Sequence, residues 1–140
     1  MSKVAVVYWS GTGNTEAMAG AVLDGAKSAG ADAALFQVSE FSVDKVADYD
    51  AIAFGCPAMG SEELEDGEFE PVFNACLPKL GDKKIALFGS YDWGDGEWLR
   101  TWEETCCDAG ITLATESVKC HNEPDADGLK ECSQLGRAIV

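Results

Sequence analysis

Residues 4–15 read V-A-V-V-Y-W-S-G-T-G-N-T, and this stretch decides the fold. Val4, Ala5, Val6, Val7, Tyr8 and Trp9 make an unbroken apolar, β-prone run, which suits a strand buried on both faces. Ser10 and Gly11 break the run. From about Asn14, Met18, Val22 and Ala26 recur at helical spacing, and Gly30 closes that helix. A buried strand that turns directly into a helix is the opening unit of an α/β sheet.

The same alternation continues along the chain. Strands are expected over 33–38, 51–55, 85–90 and 111–118. Helices are expected near 43–47 (weak), from 68 towards 77, over 97–109 and near 126–139. Five strands separated by helices predict a doubly wound α/β fold, a parallel sheet with helices on both faces, because each crossover runs right-handed over one face. The 140 residues suit a single domain spanning 1–140, and the chain shows no internal repeat or low-complexity tract.

Composition narrows the partners. The 25 acidic residues outnumber the 10 basic ones, for a formal net charge of -15. That charge repels phosphate backbones and anionic lipid, so nucleic acid and membrane are poor partners, whereas a protein with a basic docking patch is favoured. No apolar run approaches a membrane span, and the expectation is a cytoplasmic monomer. Cys56, Cys76, Cys106, Cys107, Cys120 and Cys132 form no C-x-x-C pair and His121 is the lone histidine, so no metal site is expected. Most of these cysteines read as small core or surface residues.

In a doubly wound sheet, ligands sit at the carboxyl ends of the strands where strand order reverses. The loop after the first strand joins Ser10, Gly11, Thr12, Gly13, Asn14 and Thr15 at a helix N-terminus. Backbone N–H groups, three hydroxyls and two glycines in one place make a phosphate cradle. The loop holds no Lys or Arg, lacks the G-K-[ST] ending of a nucleotide-hydrolysing loop and lacks the G-x-G-x-x-G spacing of a dinucleotide site. A terminal monophosphate held by neutral donors fits best. The bland reading, a Ser or Thr helix cap, explains one or two of these positions but not six.

After the third strand the chain reads Cys56, Pro57, Ala58, Met59, Gly60, Ser61, Glu62, and after the fourth Ser90, Tyr91, Asp92, Trp93, Gly94, Asp95, Gly96. Each loop sets one large polarisable side chain, Met59 or Trp93, among small residues. Either alone is more simply a core or gap-filling residue; beside a phosphate loop the two suit the walls of a planar cofactor.

The segments V-Y-W-S-G-T-G-N-T (7–15), G-C-P-A-M-G-S-E-E-L (55–64) and L-F-G-S-Y-D-W-G-D-G-E-W (87–98), with the late N-E-P-D (122–125), resemble the short-chain flavodoxins of anaerobic bacteria. The resemblance implies a flavodoxin-like sheet in order 2-1-3-4-5 and one non-covalently bound FMN. It implies that Ser10 to Thr15 hold the phosphate, that Met59 and Trp93 sandwich the isoalloxazine and that Glu62 accepts from flavin N3–H. Pro57, Ala58, Ser61, Tyr91 and Gly94 fall within the same implied loops. Ser90 and Asn122 are placed on the ribityl side, and Trp9 borders the phosphate loop as shield or core.

The function implied is a low-potential one-electron carrier working the semiquinone/hydroquinone couple between redox enzymes. The Gly60 to Ser61 peptide is expected to flip so that the Gly60 carbonyl accepts from flavin N5–H, a movement that glycine permits. From Val46 to Pro78 there are eight acids and no base; their fixed charge makes a second, anionic reduction step unfavourable. Asp92 departs from the family pattern, which has glycine there. It is expected to depress that second step further, and to tolerate positive φ if the position demands it. A small FMN-dependent quinone-type reductase is the alternative, though 140 residues leave little room for a substrate pocket. A receiver-type signalling domain would need acids after the first strand, where this chain has Ser10.

Overall fold

The computed structural model describes residues 2–11, 13–59, 63–92 and 94–140. Five parallel strands, β1 (Lys3–Tyr8), β2 (Asp32–Gln37), β3 (Ala51–Gly55), β4 (Lys84–Tyr91) and β5 (Val118–His121), form one sheet in the order β2-β1-β3-β4-β5. Among the described residues four α-helices accompany it: α1 (Asn14–Ser28), α2 (Phe69–Cys76), α3 (Glu97–Asp108) and α4 (Ala126–Ala138). The expected fold and strand order are both observed.

The period-2 alternation of the strands divides the core in two. Ala5, Val7, Ile52, Phe54, Ile85 and Leu87 face one layer, where Phe69 and Phe73 of α2 and Trp98, Leu99 and Trp102 of α3 cover them. Val4, Val6, Ala51, Ala53, Ala86 and Phe88 face the other, covered by Met18, Ala19 and Val22 of α1 and Cys132, Leu135 and Ile139 beside or within α4. The α2/α3 side is aromatic: the Trp102 ring stands edge-on to those of Phe69 and Phe73 at 5.5 and 5.6 Å. The α1/α4 side uses small residues to bring backbones close. A Cβ at Gly25 would lie 1.9 Å from the Ser133 carbonyl oxygen, and one at Gly136 2.0 Å from that of Val22. Only glycine fits at either contact.

Two expectations need correction. The crossover from β2 to β3 carries no α-helix; two 3-10 turns, Val38–Glu40 and Val43–Asp48, take its place. They are held by a cluster in which Phe41 and Tyr49 pack on Phe36 at ring distances of 5.4 and 5.9 Å. The fifth strand does not run over 111–118. Leu113 makes one parallel bridge to Ile85, and the ladder resumes with Val118 opposite Phe88. Three residues of β4 thus face five of the partner segment. The excess is even, so Ile111 still faces the aromatic layer and Cys120 the small-residue layer.

Candidate functional site

Strand order reverses between β1 and β3, so the chain leaves these neighbours in opposite directions and opens a crevice at their carboxyl ends. A cavity of about 360 Å³ lies there, walled by Trp9, Gly11 and Asn14 from the first loop and by Pro57, Ala58 and Met59 from the second. Ser90, Tyr91, Asp92 and Asn122 complete it. Three loops far apart in sequence, and the turn after β5, meet at one place.

The first loop is built around Ser10. Its Oγ accepts from the backbone N–H of Gly13 at 3.0 Å and of Glu16 at 3.3 Å. The hydroxyl thereby gathers donors at the start of α1 and keeps its own O–H to give. Gly13 reaches this geometry with φ of 95°, in the left-handed region, and precedes α1 directly. Asn14 and Thr15, in the first turn of α1, have N–H groups without an intrahelical carbonyl. These features suit a phosphate monoester, and among the described residues no Lys or Arg stands on the wall of this cavity or of its neighbour.

That neighbouring cavity, also about 360 Å³, includes Ser10, Gly11 and Gly13 together with Tyr8, Glu16, Gln37 and Glu68. Trp9 separates the two. The indole is half-buried, donates from Nε1 to Glu68 Oε1 at 3.2 Å and rests on Gly11, where a Cβ would lie 3.0 Å from the ring. Tyr8 donates to Glu16 at 2.9 Å. Burial, reinforced by that carboxylate, pushes the Tyr8 hydroxyl pKa up, so it remains a donor.

Thr15 and Ser90 are almost fully buried and their hydroxyls hydrogen-bond at 2.9 Å, fastening the start of α1 to the end of β4. The Ser90 carbonyl accepts from Ala58 N–H at 2.9 Å, which brings the second loop alongside. Met59 and Glu63 exchange backbone hydrogen bonds of 2.8 and 2.9 Å, and Met59 is 36% exposed at the cavity mouth. Beyond it, Glu65 accepts from the N–H groups of Gly67, Glu68 and Phe69. Burial raises its carboxyl pKa, but these three donors outweigh burial and hold it below the usual range.

The third loop is tied to β5. His121 Nε2 lies 3.0 Å from the Asp92 carbonyl, and Asn122 N–H donates to the Tyr91 carbonyl at 2.7 Å. Asn122 has φ of 59°, alone among the described non-glycine residues, which asparagine tolerates. Asp92 does not have positive φ, so the backbone demand that its substitution for glycine raised does not arise. Its side chain is exposed.

Trp9, Gly11, Asn14, Pro57, Ala58, Met59, Ser90, Tyr91, Asp92 and Asn122 therefore share one cavity. Ser10 and Gly13 border the adjoining one, Thr15 is buried behind the wall, and Gly94 is exposed outside it with φ of 84°. The expectations for Thr12, Gly60, Ser61, Glu62 and Trp93 lie outside the described residues. Glu16, Glu65, Glu68 and His121 were not foreseen as supports. Glu65 alone had a local signal, an acid four residues before Phe69 at a helix start.

Comparison with known proteins agrees with this geometry. The family model described as Flavodoxin matches residues 6–136. The flavodoxin of Megasphaera elsdenii is 50% identical over 137 residues, covering 98% of both chains. That of Clostridium beijerinckii is 42% identical over 135 residues, covering 96% of this chain and 97% of that one. The solution structure of two-electron reduced Megasphaera elsdenii flavodoxin superposes with a TM-score of 0.89 at 48% identity, covering 97% of each chain.

Proposed function

This chain belongs to the flavodoxin family and is an FMN-binding electron-transfer protein, and on that premise we propose which of its residues hold the cofactor and how it meets its partners. The observation that carries the assignment is the joining of an uncharged donor loop to a cavity with aromatic and methionine walls. FMN, when bound, accepts and releases electrons one at a time.

Ser10, Gly11, Thr12, Gly13, Asn14 and Thr15 bind the phosphate through hydroxyls and backbone N–H groups. Trp9, fixed by Glu68, screens that loop from water. Pro57, Ala58 and Met59 line one wall of the cavity, and Ser90, Tyr91, Asp92 and Asn122 the other. Gly60, Ser61, Glu62, Trp93 and Gly94 are assigned to the same site from the family resemblance. The surrounding carboxylates, Asp92 among them, oppose accumulation of negative charge in the site and set a low working potential.

Electrons leave at the cavity mouth beside Met59, to proteins presenting basic patches. The excess of acids steers such partners, and the protein works as a monomer. Rapid mixing of the reduced protein with a basic one-electron acceptor should show transfer that slows about a hundredfold between low and high salt. Salt-independent transfer, or steady-state turnover of NAD(P)H with a quinone by the pure protein, would favour the reductase reading instead.

A further inference from the structure

Cys120 and Cys132 line no part of the flavin cavity. Cys120 lies on β5 and Cys132 on α4, 7% and 0% exposed, within the same core layer. A Cβ at Gly128 would lie 2.6 Å from Cys120 Sγ, so that sulfur rests on the bare backbone of the first turn of α4. Cys132 stands four residues beyond Gly128, one turn along the same helix face. The two side chains therefore lie one turn apart against the same stretch of α4, close enough for their thiols to interact. Cys120 also lines a hollow of about 290 Å³ that includes His121, Asp125 and Gly128, which gives small solutes a route to it.

We propose that Cys120 and Cys132 form a dithiol that reacts with hydroperoxides and closes to an intramolecular disulfide. In the first step the Cys120 sulfur attacks one oxygen of the hydroperoxide and the O–O bond breaks. The leaving alkoxide or hydroxide takes the proton that the Cys120 thiol gave up, and Cys120 becomes a sulfenic acid. In the second, the Cys132 sulfur attacks that of Cys120, the S–S bond forms, the S–O bond breaks and water departs with the Cys132 proton. Two electrons pass from the thiols to the peroxide. A dithiol reductant reverses the closure.

The order of attack follows from access. Cys120 borders the hollow, whereas Cys132 is 0% exposed, so Cys120 meets the peroxide first and Cys132 resolves. The neighbouring Cys132 thiol also holds the Cys120 thiol pKa below the ordinary range, against burial and the nearby Glu131 and Asp125. The hollow also selects the oxidant. Glu123, Asp125, Asp127 and Glu131 stand around it against Lys119, a field that repels anionic disulfides and admits a small neutral peroxide. Closure would act close to the flavin loops, because β5 runs on into His121 and Asn122, which hold the Asp92 and Tyr91 carbonyls.

Peptide mapping of the FMN-loaded protein tests this directly. Trypsin cuts after Lys119, Lys130 and Arg137, so fragments 120–130 and 131–137 carry one cysteine each. After exposure to hydrogen peroxide and alkylation, the two fragments should be recovered joined, lighter by two hydrogens and separable with dithiothreitol. Joining should proceed about tenfold faster than oxidation of the exposed Cys107. Cys132→Ser should leave a dimedone-reactive sulfenic acid at Cys120, and oxidised glutathione should not modify Cys120. Recovery of both fragments alkylated while Cys107 is oxidised would overturn the proposal. So would over-oxidation of Cys120 without cross-linking in the unsubstituted chain, or glutathionylation outpacing closure.

Discussion

Stripped of cofactor, the protein should bind FMN about 1,000-fold more tightly than riboflavin. The two ligands differ only in the phosphate, so the ratio isolates the first loop. A hydrogen bond to a charged group contributes about 1.5–3 kcal/mol, and three or more such donors exceed the roughly 4 kcal/mol that a thousandfold ratio requires. Ser10 supplies one donor from its own O–H and, by accepting from the N–H groups of Gly13 and Glu16, holds the turn that presents the free N–H groups of Asn14 and Thr15. Ser10→Ala should therefore weaken FMN by about 10- to 100-fold while leaving riboflavin nearly unchanged. Fluorescence titration of the apoprotein with each flavin reads both constants. Equal affinity for FMN and riboflavin would remove the phosphate role from this loop.

Trp98→Ala should destabilise the apoprotein by about 4 kcal/mol, the range for emptying a buried tryptophan site. Trp98 is 1% exposed on α3, packs against Tyr91 at 5.6 Å between ring centres and donates from Nε1 to the Cys56 carbonyl at 3.2 Å. It therefore supports the second loop at its root and the third through Tyr91. Trp98→Phe retains much of the ring volume but leaves that carbonyl unpaired in a buried place, a loss of about 2 kcal/mol. Urea denaturation followed by far-ultraviolet circular dichroism measures both. A loss below about 1 kcal/mol in the alanine variant would show that the packing around Trp98 matters little.

What the sequence reveals here is what repeats or what sits in one loop. The apolar run of β1 announces a strand buried on both faces, and the alternate residues of β1, β3 and β4 divide between the two layers. The first loop was legible because all six of its phosphate-suited positions are contiguous. The fifth strand was misplaced because its interruption keeps parity: Ile111, Leu113, Val118 and Cys120 follow one alternating pattern across residues that leave the ladder. Only pairing with β4 determines where hydrogen bonding resumes, and that is a tertiary fact. The supports of the site are likewise non-local. Thr15 and Ser90 are 75 residues apart, Trp9 and Glu68 59 apart, and His121 and Asp92 29 apart. None has a spacing that a reading along the chain could detect. Asn122 is placed at the site by the resemblance, and its left-handed backbone gives a physical reason for asparagine there.

The central claim is that this chain holds FMN in a site that separates its two one-electron steps and keeps the second at low potential. Anaerobic titration of the FMN-loaded protein with dithionite, followed by visible spectra beside redox indicator dyes, tests it most directly. The account predicts that a yellow protein passes through a half-reduced coloured form holding most of the flavin and bleaches only at a much lower potential. Bleaching in a single two-electron step without that form, or loss of FMN during the titration, would contradict it.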